Sequence, residues 1–524
     1  MGLVARRRGA GADERGGMAE QPERTTELGT GAARAAVAFD PLARVWLTEA
    51  EVGSSRPDLA YVPRLDGSLR VDLGSLADDG DDFGHIVHHP PGSVLRTGSV
   101  DDIAAMIRFC DAHHIEVAAR GQGHATFGQA QVAGGLVIET EPLSRIGPVG
   151  EREVTVGAGA VWSAVVKETL RHGLTPPVFT DYLELSVGGT LSVGGLGGQA
   201  RLFGAQVDNV IALEVVTGAG EVVSCSPTRR PDLFRAVLAG LGQCAVIVSA
   251  TLRLISAPAT VRRYQLSYSD LETFLDDQRR LAETGPFTYV EGTAEQDENG
   301  AYTSFVIEAV AYGPPAGSTG TVPDEDVAEA EDVAEDVAEA LRGLGYDGSG
   351  PIVAEALGYF DFLNRLASGV ADLKNAGYWT WAHPWLNLVL PGDRAAELAR
   401  TLLDGIAGQD VGPGGVVLLY PLVRRRLHTP LLRVPDDPVP SLMAVLWTLD
   451  PADPAAISAR TAANRAAFET VRAAGGTQYP VGAVPMTAAD WRGQYGKEWE
   501  EFAAAKRRYD PHGLLAPGQH IFTA

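Results

Sequence analysis

Apolar positions in "SVDDIAAMIRFCDAHH" return every three or four residues. Ile103, Met106, Ile107 and Cys110 share one face, and Ser99 with Asp102 has capping-box spacing, so the segment predicts an amphipathic helix. "IEVAAR" and "GGLVIET" are short apolar runs that predict strands, and "RGQGHATFGQAQ" joins them through a turn. "EVTVGAGAVWSAVVKETLRHG" predicts a strand, a glycine turn and a helix with Gly173 at C′. "IALEVVTGAGEVVSCS" predicts a hairpin around Gly218-Ala219-Gly220, "PDLFRAVLAGLG" a helix, and "AVIVSATLRLI" a strand by alternation. The segment "TPPVFTDYLELSVGGTLSVGGLGGQARLFGAQVDNV" is too rich in glycine for a regular element; it suits close approach of backbone to a flat or anionic ligand.

The pattern changes near residue 258. Beyond it "TSFVIEAVAYG" predicts a strand and "AAELARTLLDGIA" a helix. The acidic repeat in "DEDVAEAEDVAEDVAEALRGL" predicts a solvated surface helix. The end of the chain predicts a helix, a break at Asp510-Pro511 and a proline-glycine turn. Residues 1–40 are expected to be a disordered tail, with Met18 an alternative start. A first domain is expected over 41–258, a second over 259–464, and a return to the first over 465–524.

Charge narrows the partners. The 524 residues carry a net charge of −24, which repels phosphate backbones and anionic lipid, so neither nucleic acid nor a membrane is expected. The paired arginines near the start precede no apolar stretch, and no run is long enough to span a bilayer. Cys110, Cys225 and Cys244 have no metal-ligand spacing and read as buried thiols. A cytoplasmic location is expected.

The chemistry centres on His124, placed directly after Gly121-Gln122-Gly123. No helix follows, so a dinucleotide fold is not indicated, yet a nest of backbone N–H groups still grips pyrophosphate. The imidazole could bond to a cofactor; a metal is poorly supported, with no second ligand at HxH or HxxxH spacing. Asp181 lies among aromatics in "FTDYLELSVGG", where an acid either serves as acid or base or is a cap or ion pair. Glu291 lies in a similar run, "FTYVEGTAEQ". Trp385 with His383 offers a flat apolar wall, or simply a core aromatic. Neither a G-x-S-x-G elbow nor a P-loop is present.

"RGQGHATFGQAQVAGGLVIE", the glycine segment from "FTDYLELSVGG" to "DNV", "DLFRAVLAGLGQCAVI", "YVEG", "YFDFLNR", "HPWLNLVLP" and "YDPHGLLAPGQHIF" together resemble the cytokinin dehydrogenases, from about residue 85 to the C-terminus. The resemblance implies an α+β, two-domain vanillyl-alcohol-oxidase-type flavoprotein with a PCMH-type FAD-binding domain and an inserted substrate domain. It implies FAD attached covalently through His124, with Gly121, Gly123, Ala125, Gln129 and Ala130 around the pyrophosphate. Asp181, Ser186, Ser192, Leu196, Ile247, Tyr479, Ala516 and Gln519 would complete the FAD site. It also implies oxidative cleavage of an N6-substituted adenine, with Asp181 as base, Glu291 on the purine, Trp385 and Pro480 against the substrate, and oxygen or a quinone as acceptor. The glycine segment lacks the cysteine that a second flavin link needs, so one link is expected. Gln122, Ala125, Ala245, Pro480 and Ala516 replace residues more usual in the family. The rival readings are an alcohol, sugar or lactone oxidase of the same superfamily, and a flavin-binding protein without catalysis.

Overall fold

The computed structural model describes residues 34–54, 56–314, 335–348 and 353–522. The part of the molecule that carries the glycine motifs is built on two main sheets, beside a three-stranded and a two-stranded one. A four-stranded sheet runs in the order Ser68–Arg70, Ser93–Arg96, Leu136–Glu139, Val117–Arg120, and its last three strands are parallel. A five-stranded antiparallel sheet runs Val222–Cys225, Val210–Thr217, Ala245–Arg253, Glu153–Gly157, Ile146–Val149. The helix Val100–His113 covers the first sheet. It has the expected capping box, and Ile103, Met106, Ile107 and Cys110 are fully buried.

An eight-stranded antiparallel sheet forms the other part, ordered Val353–Gly358, Thr260–Tyr268, Tyr302–Tyr312, Phe287–Gln296, Val416–Pro421, Ser441–Leu446, Leu386–Leu390, Thr477–Gln478. The helices Leu271–Glu283, Ala395–Ile406 and Pro454–Ala473 pack on it and bury apolar faces in a shared core. The chain then returns: Leu515 bridges Val117 beside the four-stranded sheet.

Several expectations need correction. Order starts before residue 41, because Ala36–Asp40 is a strand paired with Val45–Thr48; Met18 lies outside the described residues. "RGQGHATFGQAQ" does not make a simple turn. Val117–Arg120 and Leu136–Glu139 are parallel neighbours, so the motif lies in a crossover that must run back along the strands. The helix after "GAGAV" stops at Leu170; Gly173 supplies a positive φ of 67° one turn later. The helix from Pro231 stops at Val237, as Ala239 and Leu241 take left-handed backbone.

The glycine segment does hold regular structure: Val187–Val193 is helical, and Gly188 packs so closely on Ala158 that a Cβ would sit 2.8 Å from that side chain. The final helix is split at Gly496 into Ala488–Tyr495 and Trp499–Tyr509. Most of the acidic repeat lies outside the described residues. Its described helical part, 335–341, buries Val337 and Leu341 rather than standing free in solvent. Residue 465 falls inside the helix Pro454–Ala473. The chain therefore leaves the large sheet only after Gln478.

Candidate active site

A cavity of about 430 Å³ lies between the small sheets and the large one. One end is backbone. Gly121 approaches Ser186 so closely that a Cβ would lie 2.1 Å from the Ser186 Oγ, and Gly123 has φ 66°. Any larger side chain at either position would close or twist the loop. Among the described residues, the amides of Gln122, Gly123, His124 and Ala125 donate to no protein group, leaving a row of N–H donors for an anion.

The loop is held from beneath. The Gly128 amide donates to Asp82 at 2.7 Å, and that of Gly84 at 3.0 Å. Burial pushes the Asp82 carboxyl up to about 6, against the pull of those donors. Gln129 accepts from the Phe127 and Thr126 amides and donates to the Gly482 carbonyl, fastening the loop to the returning chain.

Of the residues expected around a flavin, Gly121, Gly123, His124, Ala125, Gln129 and Ala130 all line the cavity. So do Asp181, Ser186, Ser192, Leu196 and Ile247, and on the returning chain Tyr479, Ala516 and Gln519. Tyr479 accepts the Gly195 amide at 3.0 Å and so pins the glycine segment. Ala516 takes a left-handed φ of 52°, which brings its amide to the Val117 carbonyl and its own carbonyl to Gln243.

The other end is aromatic. His124 stacks on Phe83 with ring centres 4.0 Å apart, and Phe83 stacks on His383 at the same distance. Trp385, Trp379 and Tyr182 complete the enclosure of His124. Burial pushes the His124 imidazole down to about 3, helped by His383 and Lys374. A neutral ring therefore faces the cavity at physiological pH, with a nitrogen lone pair available. His383 is likewise pushed down to about 4 by burial.

Asp181 joins the two ends. Its Oδ1 accepts from the Tyr289 hydroxyl at 3.0 Å and from Arg365 at 2.5 Å. The ion-pair alternative for Asp181 is thus realised, inside the cavity wall. Glu291 does not line the cavity. It sits 5% exposed on the strand behind Asp181, and its Oε1 has no hydrogen-bond partner. Burial and the Asp181 charge raise it well above the usual carboxylate range. It is therefore placed to act on Asp181, not to reach a purine in the cavity. Trp385 and Pro480 line the wall as expected.

Phe83, Trp379, Tyr289 and Arg365 escaped the sequence reading. An arginine in the apolar run "YFDFLNRL" was the available signal for the last. Asn387 was also passed over. It is 5% exposed, lines the cavity, and its Nδ2 lacks a partner, so it is a donor reserved for a bound group.

All three cysteines are buried and free, and burial raises the Cys225 and Cys244 thiols to about 12, so none is poised for chemistry. The described residues contain no cluster that could hold a metal and no helix long and apolar enough to cross a membrane.

Free backbone donors at one end, a flat aromatic slot at the other and a neutral histidine between suit a dinucleotide with a planar ring system. Comparison with known proteins agrees. Residues 91–226 match the family described as FAD binding domain, and residues 320–522 match cytokinin dehydrogenase 1, FAD and cytokinin binding. The protein is an FAD-dependent oxidoreductase of the two-domain α+β vanillyl-alcohol-oxidase type, acting on CH–NH donors.

The chain is 37% identical to cytokinin dehydrogenase 8 of Oryza sativa subsp. indica, over 84% of this chain and 90% of the relative. It is 36% identical to cytokinin dehydrogenase 4 of Oryza sativa subsp. japonica, over 89% and 93%. An uncharacterized oxidoreductase of the Rhodococcoides fascians fasciation locus is 38% identical, over 87% and 99%. This chain belongs to the cytokinin dehydrogenase family.

Proposed function

We propose that the protein oxidatively cleaves the N6 side chain of an N6-alkenyl adenine, such as isopentenyladenine, to adenine and an aldehyde. The observation that carries this is the placement of Asp181: a carboxylate in the wall of a flat, largely apolar slot, one oxygen anchored and the other without a partner among the described residues. FAD, when bound, supplies a two-electron hydride acceptor. Gly121, Gly123 and the free amides beyond them would hold its pyrophosphate, Asn387 would donate to it, and His124 would be its covalent anchor. A neutral imidazole suits that last role, since a protonated ring has no lone pair to bond with.

Asp181 takes or polarises the N6 proton as the adjacent C–H bond breaks, which makes hydride departure easier. The resulting imine is hydrolysed by water. Trp385 and Trp379 fix the plane of the purine. Glu291 stays protonated behind Asp181 and adds no second negative charge to the site. The acceptor that regenerates the oxidised cofactor is oxygen or a quinone. The flavin-binding part comprises the described chain from Arg34 to about residue 258 and the chain after Gln478, with the substrate domain between, and the protein works in the cytoplasm.

The test is anaerobic. Protein denatured in acid should keep its yellow colour, and native protein titrated with isopentenyladenine should bleach. Colour without bleaching would favour an alcohol or sugar oxidase; colour lost to the supernatant would remove the His124 link.

A further inference from the structure

We propose that Arg365 is a positioning residue for Asp181: it fixes one carboxylate oxygen and assigns the negative charge of the site to Asp181 rather than to Glu291. The proposal rests on the role given to Asp181 above and adds the group that makes that role possible.

Arg365 follows the short helix Tyr359–Leu363 and is held flat, its guanidinium 4.7 Å from the Phe362 ring centre and 5.1 Å from that of Tyr289. Its Nη2 lies 2.5 Å from both Asp181 Oδ1 and the Tyr289 oxygen. Its Nε lies 3.4 Å from Glu308 Oε1. Glu308 has a second cation, Arg263, at 3.8 Å, and Arg263 reaches Glu355 at 3.1 Å. Glu308 therefore needs Arg365 less than Asp181 does. Arg365 also lines the cavity, where a purely structural pin has no need to be.

Three carboxylates surround Arg365: Asp181, Glu291 and Glu308. The groups facing Asp181 are Arg365 beyond its helix, Tyr289 and Glu291 on Phe287–Gln296, Glu308 on Tyr302–Tyr312, and Tyr420 on Val416–Pro421. Arg365 is the one cation among them. Like charges a few ångströms apart do not all ionise in a buried site. The carboxylate touching the guanidinium keeps the charge, and Glu291, whose Oε1 is unpartnered, keeps a proton. The two bonds on Oδ1 leave Oδ2 for the substrate N–H.

The test compares Arg365→Gln, Arg365→Lys and Tyr289→Phe in the holoenzyme with isopentenyladenine. Arg365→Gln should lower kcat by about 10²-fold with little change in KM, as expected for a misplaced catalytic group. The acid limb of its kcat/KM profile should move up by about 1 pH unit or more, because the cation favouring the charged carboxylate has gone. Arg365→Lys should restore the limb but only part of kcat. Tyr289→Phe should lower kcat modestly and leave the limb in place.

An Arg365→Gln enzyme with unchanged kcat and pH profile but a lower Tm would overturn the proposal and leave a structural pin. If that variant does not fold, Arg365→Lys decides: full kcat sinks the positional half of the idea, and a moved limb sinks the electrostatic half. Asp181→Asn is the separate control. Retained turnover there would defeat the proposed function itself, whatever Arg365 does.

Discussion

Two of the arginine–carboxylate clusters among the described residues, around Asp490 and around Asp181, differ in how fully the acid is satisfied. Asp490 caps the helix Ala488–Tyr495. One or other of its oxygens receives the Thr487 amide and hydroxyl, two bonds from Arg465 and one from Arg472. Those bonds, led by the Arg465 pair, hold its carboxyl far below the usual range. Asp181 has one oxygen engaged, a second acid behind it and a cavity in front. Asp490 has every acceptor position filled and nothing left to bind. Asp181 is left half satisfied. A saturated carboxylate is a fastening; an anchored but unsaturated one beside a cavity is a tool.

The sharpest way to break this comparison is to neutralise both acids. Asp181→Asn should lower kcat/KM for isopentenyladenine by about 10²–10⁴-fold, the range for loss of a general base, and leave Tm nearly unchanged. Asp490→Asn should do the reverse, leaving kcat of the folded enzyme alone. Steady-state kinetics on both variants, normalised to bound flavin, would decide it; equal losses of activity would erase the distinction.

Next in size is the attachment. His124→Gln should give protein whose flavin is released on acid denaturation, while the amide row at Gln122–Ala125 still holds the cofactor in the native state. Absorbance of the pellet and the supernatant separates the two cases. Colour that stays with the denatured chain would show attachment elsewhere.

Asp490 also carries a pH prediction. Its folded-state affinity for a proton is depressed, so its contribution is complete above the unfolded value near 3.8 and fades as pH falls below it. Asp490→Asn should cost about 1.5–3 kcal/mol at pH 7, the range for hydrogen bonds to charged groups. The gap from the parent should narrow by pH 3 but close only at still lower pH, where the folded carboxyl itself takes up a proton. Urea midpoints at the two pH values measure it.

How much of this was legible in the sequence follows from how each part is specified. The helix Val100–His113 was readable to within a residue, because its cap and stripe are local. The parallel arrangement around "RGQGHATFGQAQ" was not, since nothing within the motif distinguishes a turn from a crossover. The positions matching the family's flavin motifs fell together around one cavity, as fixed backbone geometry demands. Glu291 stands behind Asp181 rather than in the cavity wall, because a match to a family motif places a residue in the chain but not which side chains stand in front of it. Arg365 was missed because its meaning depends on Asp181, 184 positions away in the chain.

The smallest effect concerns His383, which belongs to neither cluster yet lies between the cavity and the core. It is 5% exposed, stacks on Phe83, and its Nδ1 is 2.9 Å from the Phe83 carbonyl. Burial lowers it from 6.5 to about 4. The unfolded chain therefore binds a proton near pH 6.5 that the folded chain refuses until about pH 4, so this residue removes stability as pH falls through that window. At pH 5 the loss is about 1–2 kcal/mol relative to pH 8. His383→Phe keeps a ring against Phe83 but cannot titrate. Its Tm should fall less between pH 8 and pH 5 than that of the parent, by a few degrees. An equal fall in both proteins would mean that the imidazole already accepts its proton in the folded state, and that the aromatic end of the cavity is wetter than its packing implies.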